Sequence, residues 1–200
     1  MKRNLALFDF DGTITTKDTF TPFVFHAVDP VRIAVGKVLL SPLVVAYKLG
    51  VLSPSRMRRS IVLFGFRGRA GAEVRKAGLE YSRSRLAPVL RAEALERIRW
   101  HQAQGDAVVV VSASLDVYLA DWCRELGVDL ICAELEERGG VLTGRYRDGD
   151  CCGHEKARRV RQRYDLRSFA AIYAYGDTAE DQAMLELANR RFYRFRELRD

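Results

Sequence analysis

Residues 4–13, Asn4-Leu5-Ala6-Leu7-Phe8-Asp9-Phe10-Asp11-Gly12-Thr13, decide the fold. An apolar run gives way to two carboxylates spaced two apart and then to glycine. Such a run predicts a strand buried on both faces, as in a parallel sheet, with the carboxylates at its carboxyl end. Residues 107–112, Ala107-Val108-Val109-Val110-Val111-Ser112, repeat the pattern with β-branched side chains. Residues 129–134 and 171–175 predict two more strands, and 191–195 a weaker fifth. Between them, residues 88–104, 115–126, 155–164 and 178–189 space apolar side chains at helical intervals. Gly105 and Gly127 close the first two helices, and Ser114 is placed to cap the second. Strands alternating with helices predict an α/β fold, a three-layer Rossmann-like parallel sheet. Residues 135–148, with Gly139-Gly140 at the centre, predict a hairpin beside it.

Residues 14–86 break the alternation. Turn signals near Asp29-Pro30, Ser53-Pro54 and residues 65–71 divide them into several helices. The expected division is an α/β core of residues 1–13 and 87–200 and an all-helical cap of residues 14–86. The cap is inserted between the first strand and the Ser112 region, where it overhangs the end of the sheet at which such folds bind ligands.

Composition narrows the functional classes. The chain has 200 residues, 48% of them hydrophobic, so it can bury a core unaided. Its first acidic residue comes at position 9 and no apolar leader precedes it, which predicts no secretory signal. Cys123, Cys132, Cys151 and Cys152 form no C-x-x-C pair, and reduced, mostly buried thiols in a cytoplasmic protein are expected. The net charge of +7 is uneven: residues 1–100 carry 18 basic and 8 acidic side chains, residues 101–200 carry 15 and 18. Between Asp29 and Glu73 there is no acidic residue, while Arg32, Lys37, Lys48, Arg56, Arg58, Arg59, Arg67 and Arg69 fall in the gap. This face meets an anionic partner or is simply solvated. Aromatic residues are not interleaved with the basic ones, so nucleic acid is not the expected partner. The most apolar stretch, residues 38–47, is about half the roughly 20 residues a membrane span needs. Residues 31–52 form either the cap's own core or an apolar contact on a membrane surface.

Four groups of residues point to chemistry. Asp9 and Asp11 follow the first strand, and carboxylates aimed into a crevice demand a cation or a proton. Ser112 ends the second strand, where a hydroxyl and helix-start N–H groups make a phosphate cradle or a cap. Lys156 is one of six lysines against 27 arginines, and opens a helix. Asp177 and Asp181 follow the fourth strand four residues apart, placed to face one point. With Asp9 they make an oxygen-rich site suited to Mg²⁺, and Asp177 is also placed as a helix cap. No histidine is required: His101 and His154 are expected to be structural, and Trp100 and Trp122 to lie in the core.

Taken in order, Asp9-x-Asp11, Ser112, Lys156 and Gly176-Asp177-x-x-x-Asp181 resemble the haloacid dehalogenase superfamily. The long helical insertion is similar to that of its phosphoserine phosphatase-like branch. The resemblance implies that Asp9 attacks phosphorus to give an aspartyl-phosphate and that Asp11 serves the leaving oxygen and then the water. It implies Mg²⁺ held by Asp9, the main-chain carbonyl of Asp11 and Asp177, with Asp181 acting directly or through water. Ser112 and Lys156 would neutralise the transferring group, with Gly12, Thr13 and Ala113 lining its path. Asp11 argues against a dehalogenase, which has no leaving oxygen to protonate.

The substrate is read less sharply. Asp18 occupies the position, nine after the nucleophile, where phosphoserine phosphatases carry a cap glutamate. Arg56, Arg58 and Arg59 lie near the place of their carboxylate-binding arginine, and Ala113 replaces their usual glycine. Ser112-Ala113-Ser114, Cys151-Cys152-Gly153-His154-Glu155-Lys156 and the apolar, basic cap look more like phosphatidylglycerophosphatase C and its relatives. A phosphate monoester is therefore the expected substrate, a lipid head-group phosphate or alternatively a small soluble ester. A phosphotransferase or a non-catalytic anion-binding protein is the alternative of another class. Peripheral contact with an anionic inner membrane face remains open, as does the oligomeric state.

Overall fold

The structure, a computed structural model, describes residues 2–198. Its centre is a six-stranded sheet in the order β3-β2-β1-β6-β7-β8. The strands are β1 (Leu5–Phe8), β2 (Ala107–Leu115), β3 (Asp129–Ala133), β6 (Ile172–Gly176), β7 (Arg190–Tyr193) and β8 (Arg196–Leu198). The first five in that list run parallel, and β8 pairs antiparallel with β7. All four residues of β1 are fully buried, because β2 and β6 flank it and helices cover both faces. The parallel α/β sheet is thus the predicted one. The β8 edge was not foreseen, and its exposed Arg196 and Glu197 discourage pairing with another chain.

Helices α6 (Ala92–Ala103), α7 (Asp116–Leu126), α8 (His154–Arg163) and α9 (Gln182–Leu185) follow the strands. α9 is far shorter than the expected residues 178–189. Thr178 and Asp181 form a reciprocal capping box around a short 3₁₀ turn, which takes up the first residues of that segment. The expected hairpin is present as β4 (Leu135–Arg138) and β5 (Val141–Tyr146), outside the main sheet.

Five helices occupy the insertion: α1 (Phe20–Ala27), α2 (Pro30–Leu39), α3 (Ser41–Lys48), α4 (Pro54–Phe66) and α5 (Gly71–Tyr81). Asp29 caps α2 by accepting from Val31 N–H (2.8 Å) and Arg32 N–H (3.2 Å), and Pro30 fits the first turn. The two ends of the insertion run side by side. Thr15 bridges Leu90, Thr16 N–H donates to the Val89 carbonyl (2.8 Å), and Arg91 N–H to that of Ile14 (2.8 Å). The far side is tied to the hairpin by Gly68 N–H to the Leu142 carbonyl and Leu142 N–H to that of Arg69, both 2.9 Å.

α1 and α5 share the main core through Phe23, Val24, Val74 and Tyr81. The α2–α3 pair reaches it through partly buried Ile33. α3 has no buried residue, and the buried position of α2 is Gly36, where an added Cβ would lie 2.6 Å from Phe64 of α4. Within residues 31–52, Ile33, Leu40 and Val44 are partly buried, while Val31, Val35, Val38 and Val45 are exposed. Trp100 is also exposed, correcting its assignment to the core, whereas Trp122 is partly buried edge-on to Phe10.

Candidate active site

Because β1 lies between β2 and β6, the residues just beyond these three strands converge. β1 ends at Phe8, so strand alternation does not orient Asp9 and Asp11. A turn does. Asp9 N–H continues the ladder to the Tyr175 carbonyl (2.9 Å), and residues 10–14 then coil back, with Thr15 N–H on the Phe10 carbonyl (2.9 Å). Gly12 sits at φ +88°, and a Cβ there would collide with the Asp177 carboxylate. Only glycine gives the turn both the left-handed backbone and the close approach.

Asp9, Lys156 and Asp181 are all buried. Lys156 Nζ donates to Asp9 Oδ1 and to Asp181 Oδ1 (2.6 Å). Asp181 Oδ2 accepts from Asp177 N–H (3.0 Å), Thr178 N–H (3.0 Å) and the Thr178 hydroxyl (3.1 Å). The helix cap here is therefore Thr178, not Asp177, whose carboxylate is held by the Thr13 hydroxyl (3.1 Å). One carboxylate oxygen each from Asp9, Asp177 and Asp181 lie within 4.8 Å of one another.

The electrostatics follow from burial. It pushes the Asp9 carboxyl up to about 8, against the pull of Lys156 and with help from Asp181. Burial also raises Asp177. At Asp181 burial is outweighed by Lys156 and the backbone donors, and its pKa is held below the usual carboxylate range. At Lys156 burial is outweighed by the two aspartates, which keep it charged. Three carboxylates against one ammonium leave negative charge uncompensated. Hard oxygen donors so arranged fit a small divalent cation such as Mg²⁺.

Asp11 faces elsewhere. Its Oδ1 accepts from Thr19 N–H (2.7 Å) and the Thr19 hydroxyl (2.6 Å), and its Oδ2 from the Ser114 hydroxyl. The Thr19 hydroxyl also meets Tyr118 Oη (3.1 Å). Burial raises the Asp11 carboxyl against these three donors. Ser114 is thus no helix cap but a partner of Asp11. β2 runs on to Leu115, with a bulge against β3 between Ser112 and Leu115. Ser112 is buried and its Oγ accepts from Ser114 N–H (3.0 Å). Ala113, beside it, is only half-buried.

The insertion residues are spread more widely. Asp18 is exposed and holds the start of α1 by accepting from Phe20 N–H (3.2 Å) and Thr21 N–H (3.1 Å). Arg56 is exposed and does not reach the converged aspartates. Arg58 makes the ion pairs between α4 and the core, with buried Asp150 (2.9 Å) and with Glu180 (3.1 Å). Ser114, Thr19 and Arg91, which donates to the Thr13 and Gly12 carbonyls (3.2 and 3.1 Å), were missed from sequence. Only the doubled serine around Ala113 hinted at one of them.

Comparison with known proteins agrees with this geometry. The chain is 32% identical to Protein CicA of Caulobacter vibrioides (strain NA1000 / CB15N) over 95% of this chain and 85% of that protein. The fold matches a protein of unknown function from Bordetella pertussis Tohama I, with a TM-score of 0.79 at 27% identity, covering 96% of this chain and 90% of that one. It also matches a substrate-bound phosphoserine phosphatase, with a TM-score of 0.68 at 21% identity, covering 96% and 86%. The second likeness is one of fold alone. The family of haloacid dehalogenase-like hydrolases matches residues 6–186, and the chain belongs to it.

Proposed function

We propose that the protein is a Mg²⁺-dependent phosphomonoesterase working through an aspartyl-phosphate on Asp9. The observation that carries this is the Lys156 ammonium shared by Asp9 and Asp181, with Asp177 within 4.8 Å. Mg²⁺ would be held by Asp9, the Asp11 carbonyl and Asp177, and when bound supplies positive charge for the phosphoryl oxygens. Asp181, with both oxygens engaged in the fold, orients Lys156 and the Asp177 loop.

The free oxygen of Asp9 attacks phosphorus as the bond to the ester oxygen breaks. Asp11, held by Thr19 and Ser114, gives that oxygen its proton. Water then attacks the aspartyl-phosphate, Asp11 takes its proton, and phosphate leaves. Ser112, the main chain at Ala113 and Lys156 stabilise the charge on the transferring group. Residues 14–86 act as the cap over this site.

The substrate we favour is a lipid head-group phosphate such as phosphatidylglycerophosphate, since the insertion exposes apolar side chains alongside exposed Lys37, Lys48, Arg56 and Arg59. A small soluble ester is the second reading. It is favoured by a cleft of about 810 Å³ where Asp18 meets Lys17, His26, Tyr81 and Arg85. Phosphate release with Mg²⁺ and with chelator, from phosphatidylglycerophosphate in anionic vesicles, phosphoserine and sugar phosphates, tests the reading. Mg²⁺-dependent release that Asp9→Asn abolishes is expected. Release unaffected by Asp9→Asn would remove the nucleophile, and transfer to an added alcohol in preference to water would make the enzyme a phosphotransferase.

A further inference from the structure

We infer that the α2–α3 pair is a docking surface for an anionic phospholipid bilayer. Eight of the 13 large apolar side chains exposed among the described residues lie between residues 31 and 51, so the exposure is concentrated on one element. Along α2, Val31, Val35 and Val38 are exposed, and on α3 and at its C-cap, Val45 and Leu49. Spacings of three to four residues put each set on one helical stripe. A helix in a soluble domain turns such a stripe inward, and here it faces out. Val38, Leu49 and Val51 are 73, 73 and 77% exposed, more than contact with the rest of the chain would leave. The inner side of the pair is no better filled. Ile33, Leu40 and Val44 border an apolar cavity of about 200 Å³ against α1 and α4.

The charge around this stripe selects the partner. Lys37 and Lys48 lie on the same two helices and are exposed, and Arg56 and Arg59 on α4 are exposed as well. No acidic residue occurs between Asp29 and Glu73 to oppose them. A second copy of this chain would bring the same cations face to face, whereas an anionic leaflet is attracted to each. Geometry sets the depth. α2 and α3 have 10 and 8 residues and meet at a 58° bend. At 1.5 Å per residue neither approaches the roughly 30 Å of a bilayer's hydrocarbon. No single helix among the described residues is long and apolar enough to cross a membrane. The pair lies in the interface, with its valines and leucine below the phosphates and its lysines among them.

The inference does not depend on the phosphatase reading, and its test uses the whole chain without substrate. Co-sedimentation is measured with vesicles of phosphatidylcholine alone and with about a third phosphatidylglycerol. Binding to the anionic vesicles only is expected. Because each basic group at such a surface strengthens binding roughly fivefold, Lys37→Glu with Lys48→Glu should weaken it more than about twentyfold. Val38→Ser with Leu49→Ser should weaken it about tenfold at an unchanged melting temperature, since both side chains are already in water. Equal binding to neutral vesicles, or binding indifferent to both double variants, overturns the assignment. So does absence of binding, and so does a dimer in solution that the serine variants dissociate, which would make a second copy the occupant. If a variant fails to fold, a fluorophore on Val38→Cys keeps the question open to test. A blue shift on anionic vesicles supports the surface, and none refutes it.

Discussion

At the carboxyl ends of β1, β2 and β6 the chain buries charge, and along α2 and α3 it exposes hydrocarbon. Both arrangements run against the usual partition, but they are held in different ways. The buried aspartates are fixed by a lysine, by backbone N–H groups and by the turn at Gly12. The exposed valines are fixed by little beyond the helices that carry them. A cost that is locked in by specific bonds marks a place where the chain acts on a small ligand. A cost left open on a face marks a surface whose partner lies outside the chain.

The largest test of this contrast is Asp9→Asn, which should reduce turnover by at least about 10³-fold. In the metal-free protein the same change should stabilise the fold by about 1 kcal/mol. The Asp9 carboxyl sits at about 8, above its usual 3.8, so its ionisation costs stability as pH rises through that window. Asparagine removes the loss, and thermal melts at pH 5 and pH 8 check it. An unchanged melt at pH 8 would mean Lys156 fully compensates the charge.

Next in size, Leu7→Ala in the fully buried centre of β1 should cost about 3–4 kcal/mol in urea unfolding, whereas Val38→Ser should cost under about 0.5 kcal/mol. Comparable losses would show that the tip is packed after all. Ser114→Ala should lower kcat about tenfold with KM little changed, because it removes one donor from Asp11 without touching Lys156. A rise in KM alone would move Ser114 to substrate binding.

The smallest expected effect separates the regions by pH. His101 is buried, with Nδ1 on Asp106 (2.7 Å) and Nε2 on Tyr175 Oη (3.0 Å), and burial holds its pKa below the usual 6.5 despite Asp106. As pH falls below that value the unfolded chain takes up a proton first, so stability drops until the folded pKa is passed. From pH 7 to pH 5.5 the urea midpoint of the wild type and of Val38→Ser should drop slightly relative to that of His101→Gln, on top of the rise that Asp9 contributes to all three. The same change with pH in all three would exclude a contribution from His101.

Much of the sheet was legible because apolar runs such as residues 5–8 and 107–111 have few other uses than a strand covered on both faces. The convergence of Asp9, Lys156, Asp177 and Asp181 was legible because the order of these residues along the chain resembles the family's motifs and each follows a strand or opens a helix, whereas the different setting of Asp11 was not. Ser114 was not, because its partner Asp11 lies 103 positions away and capping is the commoner use of a serine before a helix. The shortening of α9 was missed because Thr178 and Asp181 cap a turn inside an otherwise helical spacing. Residues 31–52 were visible as an apolar stretch, but apolar composition alone does not say whether a face points in or out. Arg58 was singled out with Arg56 and Arg59, and its bond to buried Asp150 is a tertiary fact.

The Asp11 carboxylate takes both the N–H and the hydroxyl of Thr19, which stands immediately before the first helix of the insertion. The carboxylate to which the proposed mechanism gives the protons is therefore also a tie on the start of the insertion's first helix. Swinging that helix away breaks two bonds to one carboxylate, and turning the carboxylate toward a substrate does the same. In the proposed mechanism, the position of the insertion's first helix and the supply of a proton are coupled through this one carboxylate.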